Sequence, residues 1–167
     1  MIIRDVKPGE LAEVGELRVA AYLAGGFLSE DSGYLPRLRD LGTDGEGTVL
    51  VAFLDQEPER IVGTVMLQLV PQAAEIVTGP DEAEIRALAV APQAQGHGVG
   101  RALLHAIMEC ATRHGIRHLV LATQRDMHAA HRLYEQAGFQ RLPERDWTPQ
   151  PGNKLMAYGL RLDGEHA

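Results

Sequence analysis

The stretch that most restricts how this chain folds runs from Ala83 to Glu109, where an apolar strand pattern enters a glycine-rich turn that opens directly into a helix pattern. The turn reads Gln95, Gly96, His97, Gly98, Val99, Gly100, with glycine at alternate positions. Missing Cβ atoms clear one wall, and successive backbone N–H groups are left to face a ligand. Unpaired amides at a helix start form an anion site, and the helix dipole adds roughly half a positive charge at the same place. A phosphate or pyrophosphate is the expected guest.

The neighbours narrow the kind of nucleotide. A P-loop needs Lys followed by Ser or Thr after its last glycine, whereas Arg101 and Ala102 follow Gly100. A dinucleotide fingerprint places its third glycine three positions after the second and an acidic residue about twenty further on. Here the third glycine comes too early, and Val120 sits in the apolar run Leu119 to Leu121. The pattern that fits is Gln-x-x-Gly-x-Gly after a strand ending Leu88, Ala89, Val90 and a break at Pro92. It resembles the acetyl-coenzyme A site of the GNAT acetyltransferase family. Downstream, Ala130 to Phe139, AHRLYEQAGF, resembles that family's second motif, whose tyrosine lies near the thioester sulfur.

The resemblance covers residues 1–162, with its specific motifs between Glu84 and Phe139, and it implies a GNAT-like α/β fold: a mixed, mainly antiparallel central sheet flanked by helices, in a single domain. The order of strand and helix patterns, with one helical crossover around the glycine turn, points the same way. Residues 163–167 read as a polar tail. By the same resemblance the backbone of Leu88, Ala89 and Val90 pairs with the pantetheine arm, and the turn from Gln95 through Ala102 holds the coenzyme's diphosphate. Arg101 is read either as a partner for a coenzyme phosphate or as a solvated side chain. His97 is read as exposed.

Two residues carry the chemistry implied. Tyr134 is the candidate acid: a phenol has an ordinary pKa of about 10, near that of the departing thiol, so its hydroxyl can protonate the thiolate. The plain alternative is a half-buried aromatic. Glu84, on the central strand predicted over 81–90, is the candidate base for the amine proton, directly or through water, and the alternative is an ion pair with Arg86 or a neighbouring strand. On that strand Glu84, Arg86 and Leu88 share one predicted face, and Ile85, Ala87 and Ala89 the other. One departure from the family pattern is Met127, which stands where an asparagine commonly bonds the pantetheine; Thr123 or Asp126 is the substitute in view.

Elsewhere the patterns predict a strand over 2–6, a helix from Pro8 to Tyr22 ended by Gly25 and Gly26, and a second helix over 30–41. Tyr22, Phe27, Asp31 and Tyr34 are read as a wall of the acceptor pocket, or as aromatics filling an amphipathic helix's core. Strands follow over 48–54, 61–70, 117–122, 139–142 and 154–162, with a connection over 71–80 and a loop over 143–153. Trp147 in that loop either borders the acceptor pocket or closes the core. Helices are predicted over 99–113, stopped by Gly115, and over 128–137. His128 and His131 stand three apart without a third metal ligand, which favours capping or surface roles. Cys110 falls on an apolar stripe and reads as core packing.

Composition sets the outer bounds. At 167 residues the chain suffices for one core that buries about two-thirds of the unfolded surface. The net charge of −7 argues against nucleic acid and anionic lipid as partners and mildly favours cationic amines. No run approaches the roughly 18 apolar residues of a membrane span, and the first residues lack a secretory core, so the cytoplasm is expected. The activity implied is direct acetyl transfer from acetyl-CoA to a primary amine on a small molecule or peptide, without a metal and with a homodimer as the implied assembly. The alternative is a non-catalytic coenzyme A-binding regulatory or sensing module. Acetyl-CoA should protect the chain against thermal unfolding better than ATP or NAD does; the reverse order would favour a plain nucleotide-binding protein.

Overall fold

The computed structural model describes residues 1–45, 47–69, 76–77, 79–150 and 153–162. In chain order it contains β1 (Ile2–Asp5), α1 (Leu11–Ala24), α2 (Leu35–Asp40), β2 (Gly47–Phe53), β3 (Gly63–Gln68), β4 (Glu82–Val90), α3 (Val99–Arg113), β5 (His118–Gln124), α4 (His128–Gln136), β6 (Gln140–Arg141), β7 (Trp147–Gln150) and β8 (Asn153–Arg161). It is a mixed α/β fold whose sheet is mostly antiparallel and flanked by helices, as expected. By internal packing the chain divides into two units, Met1–Leu67 with Ala87–Ile107, and Gln68–Arg86 with Met108–Ala167.

In the first unit the strand order is β1, β2, β3, then the second half of β4. β1 pairs antiparallel with β2 from Ile2↔Phe53 to Asp5↔Leu50. Pro8 opens a 3₁₀ turn, Pro8–Glu10, that leads into α1. Glu10 closes that turn, accepting the Lys7 amide at 2.9 Å and both guanidinium nitrogens of Arg4 at 2.9 and 2.8 Å. α1 packs Val14, with the half-buried Leu17 beside it, against Val49, Val51, Phe53, Ile61 and Met66.

The second helix is shorter than the expected 30–41. Ser29, Asp31 and Ser32 offer the backbone other partners: Ser29 Oγ donates to Asp31, and Ser32 Oγ accepts the Tyr34 amide at 3.2 Å. Such local bonds compete with helix, so α2 begins only at Leu35, with Pro36 in its first turn. Its end is closed from α1, where the fully buried Arg18 donates to the carbonyls of Leu38 (3.2 Å) and Leu41 (2.7 Å).

In the second unit the first half of β4 pairs in parallel with β5, from Glu82↔His118 to Ile85↔Leu121. β5 pairs antiparallel with β8 along its whole length, His118↔Arg161 to Gln124↔Leu155. The other edge of β8 is shared by β6, through Arg141↔Tyr158, and β7, through Trp147↔Leu155. Ile76, Val120 and Ala157 form a core cluster, with Leu142 and Trp147 packed on it.

β7 corrects the expected loop over 143–153. Trp147 and Thr148 are strand formers, and Pro149, which has no N–H to donate, falls where the ladder shifts register between Trp147 and Gln150. The 3₁₀ turn Pro143–Arg145 before it is clamped twice. Arg145 forks onto both oxygens of Glu82 (2.8 and 2.9 Å), and Arg141 onto both oxygens of Asp146 (2.8 and 2.7 Å). Bidentate pairs of this kind fix direction as well as distance. His118 Nδ1 adds a third contact to Glu82 at 2.8 Å.

The strand expected to reach residue 70 ends at Gln68; Val70, most of the 71–80 connection and the 163–167 tail lie outside the described residues. Among the described residues no helix is long and apolar enough to cross a membrane. The fork from Arg4 and the Lys7 amide hold the Glu10 carboxyl at about 2, down from 4.5. The folded pKa is the lower one, so the stability Glu10 contributes is present above about pH 4.5 and is lost as pH falls towards 2. Glu10→Gln should therefore lower Tm slightly at pH 7, and the gap to wild type should close between pH 4.5 and 2. A pH-independent gap would assign the effect to something other than this charge.

Candidate functional site

The glycine turn is built by backbone conformation. Gly96 and Gly98 sit at φ +84° and +78°, and a Cβ on either would meet nothing within 4 Å, so glycine is required there for φ alone. Gly100 lies inside α3. The first intrahelical bond runs from the Ala102 amide to the Gly98 carbonyl at 3.1 Å. The amides of Val99, Gly100 and Arg101 thus precede the first bonded donor and stand at the positive end of the helix dipole. His97 is exposed, as expected, and its Nδ1 lies 3.1 Å from the Ala94 carbonyl. Arg101 is exposed and makes no ion pair among the described residues.

The strand leading into the turn is bent at Ala87, whose φ of +53° is the only positive value at a non-glycine position among the described residues. Left-handed backbone at alanine costs on the order of 1–2 kcal/mol. A left-handed residue also interrupts the strict alternation of faces along a strand. The parallel ladder to β5 ends two residues earlier, at Ile85↔Leu121. After β4, the Ala91 amide bonds the Val62 carbonyl at 2.8 Å. Next to it, Gly63 gives the first turns of α3 room to close in: a Cβ there would lie 2.7 Å from Val99 Cγ1 and 2.8 Å from Leu103 Cδ1.

Glu84 lies in the second unit, 1% exposed, with Oε1 accepting the Ile76 amide at 3.1 Å. Arg86 Nε is 3.9 Å from its Oε2, so the ion pair weighed as the alternative is present. Tyr134, also in the second unit, is 6% exposed and projects from α4. Its ring lies 5.9 Å from that of Phe139 and 6.1 Å from that of Tyr158. Tyr158 escaped the sequence reading; its signal there was only one more apolar letter in the run Leu155 to Leu160.

Around the start of α4, Met127 occupies the N-cap without a side-chain capping bond. The buried Thr123 hydroxyl points at Met127 Sδ, 3.6 Å away, while Asp126 is exposed. His131 Nε2 lies 2.9 Å from the Gln124 carbonyl, a contact that ties the helix to the end of β5. Among the described residues no three His, Cys, Asp or Glu side chains gather as a metal-holding group. Cys110 is buried.

The residues expected to wall the acceptor pocket are in the first unit. Tyr22 and Phe27 meet edge to face with ring centres 6.4 Å apart, and both are half-buried. Tyr34 is half-buried at the start of α2. Asp31 is exposed, and the Ser29 hydroxyl holds its carboxyl below the ordinary range.

Residues 12–139 match the family model described as the acetyltransferase (GNAT) family. A mycothiol acetyltransferase from Kocuria rhizophila is 34% identical over 92 residues, 55% of this chain and 29% of that protein. The N-alpha-acetyltransferase RimI of Mycobacterium tuberculosis is 42% identical over 65 residues, 39% of each chain. The chain thus spans well under half the length of these curated relatives. In three dimensions, yncA from Salmonella typhimurium, in a structure with its cofactor acetyl-CoA, superposes with a TM-score of 0.71 over 99% of this chain and 96% of that one, at 22% identity. At that identity the likeness speaks for the fold.

Gly98→Ala puts a Cβ on a left-handed residue and should destabilise the chain by about 1 kcal/mol in urea denaturation, with Gly98→Asn costing less. Equal stability of Gly98→Ala and wild type would contradict a left-handed backbone at Gly98.

Proposed function

The chain belongs to the acetyltransferase (GNAT) family, and from that premise we propose that it moves acetyl from acetyl-CoA directly to a primary amine in a ternary complex. The observation that carries this reading is the left-handed pair Gly96 and Gly98 opening α3, followed in chain order by Tyr134 on α4. The residues present fit the coenzyme. The amides at the start of α3, which have no backbone partner among the described residues, suit a diphosphate.

Acetyl-CoA, when bound, supplies an activated thioester with a good leaving group. The turn from Gln95 to Ala102 binds the diphosphate, with Arg101 as a further cation for a phosphate. The backbone of Leu88, Ala89 and Val90, beyond the bend at Ala87, offers N–H and C=O groups to the amide-bearing pantetheine, and one N–H can polarise the thioester carbonyl. Glu84, as deeply buried as it is, takes the amine proton through an intervening water. Tyr134 gives its hydroxyl proton to the departing thiolate. Tyr22, Phe27, Asp31 and Tyr34 form the acceptor side. The acceptor is a small-molecule or peptide amine, and a cytoplasmic homodimer completes the proposal.

An acceptor screen over polyamines, amino acids, aminoglycosides and peptides, read by release of free thiol, tests the activity. Tight acetyl-CoA binding with no acetylation would favour the binding-module reading. Tyr134→Phe should cut turnover by about 10²-fold or more with coenzyme affinity nearly intact; unchanged turnover removes the acid. Glu84→Gln should remove the limb of the rate profile that rises with pH, and an identical profile would point to a different base.

A further inference from the structure

Tyr158 is the point at which the sheet of the second unit grips the helix that carries Tyr134. On β8 it is flanked on both sides, by Leu121 of β5 and Arg141 of β6. At 2% exposure it has almost no freedom of its own. Its side chain reaches successive positions of α4. The ring centre is 5.8 Å from that of His131 and 6.1 Å from that of Tyr134, and the hydroxyl donates to Glu135 Oε2 at 2.9 Å. Positions 134 and 135 lie three and four residues, about one turn, beyond position 131.

The Tyr158 ring also meets the Arg141 guanidinium, 5.6 Å from the ring centre and itself forked onto Asp146. Burial first, and then the Glu135 bond, push the Tyr158 phenol above its ordinary range, so it stays a neutral donor at working pH.

Resting on the reading of Tyr134 as the thiolate's acid, we infer that Tyr158 is a positioning residue for acetyl transfer: through its ring and its hydrogen bond to Glu135 it sets the rotation of α4 and so the aim of the Tyr134 hydroxyl. The physical reason is leverage. Tyr134 stands at the buried side of a helix of only 9 residues, too short to hold its rotation unaided. A helix that turns about its axis carries the phenol away from its target, and misplacement of a reacting group by about 1 Å can cost on the order of 10²-fold in rate.

The experiment is steady-state kinetics on the full chain with an acceptor from the screen. Tyr158→Phe keeps the ring and removes the oxygen; it should lower kcat about tenfold while leaving KM for acetyl-CoA unchanged. Combined with Tyr134→Phe it should cost nothing more, because there is then no proton to aim. Glu135→Leu should reproduce the loss, and Glu135→Gln, whose side-chain carbonyl still accepts from the phenol, should restore most of it. Wild-type kcat in Tyr158→Phe beside an impaired Tyr134→Phe would overturn the positioning role alone. So would fully multiplied losses in the double variant. Unchanged turnover in Tyr134→Phe would overturn the acid and this role with it. If Tyr158→Phe does not fold, the Glu135→Leu and Glu135→Gln pair decides by the same criteria.

Discussion

The hydrogen bond from the Ala102 amide to the Gly98 carbonyl fixes where α3 begins, and with it which amides are left over. Were the helix to begin one turn earlier, the Val99, Gly100 and Arg101 donors would be consumed internally and the proposed anion site would vanish. Two left-handed glycines prevent that, since a helix cannot propagate back through Gly98 at φ +78° or Gly96 at φ +84°. The start is then pressed into place by Gly63, whose missing Cβ admits Val99 and Leu103. In this arrangement glycine serves one purpose in the turn, conformation, and another in the neighbouring strand, close approach.

The second unit solves a different problem. It buries Glu82, Glu84, Arg86 and His118 at exposures below a tenth, which is costly unless each charge meets a partner. Glu82 is met by a forked Arg145 and by His118, and Glu84 by the Ile76 amide and Arg86. Removing one member of such a set leaves the other charge buried without compensation, typically a larger loss than the pair itself contributes. The same clamps direct the chain from β6 into β7, and the Arg141 fork also steadies the Tyr158 ring.

Much of this was legible in the letters because it depends on local rules. Alternate glycines before an apolar helical stripe predicted the turn, and α3 runs over the expected 99–113. What failed did so where a few side chains outvote propensity. Ser29 and Ser32 shortened α2, and Pro149 hid β7 because its missing donor falls in an irregular part of the ladder. Ala87 gave no warning, since alanine has no preference for left-handed backbone and the strain is imposed from outside. Tyr158 was invisible for another reason: its importance lies in contacts to residues 17 to 27 positions away, and no short window contains them.

In the proposed function the amides opening α3 hold a coenzyme diphosphate. A crystal structure of the chain grown with acetyl-CoA measures it directly. Diphosphate oxygens about 2.7–3.2 Å from backbone nitrogens between Gly96 and Arg101 are the expected result. A diphosphate bound elsewhere on the chain, with those amides facing solvent, would contradict it.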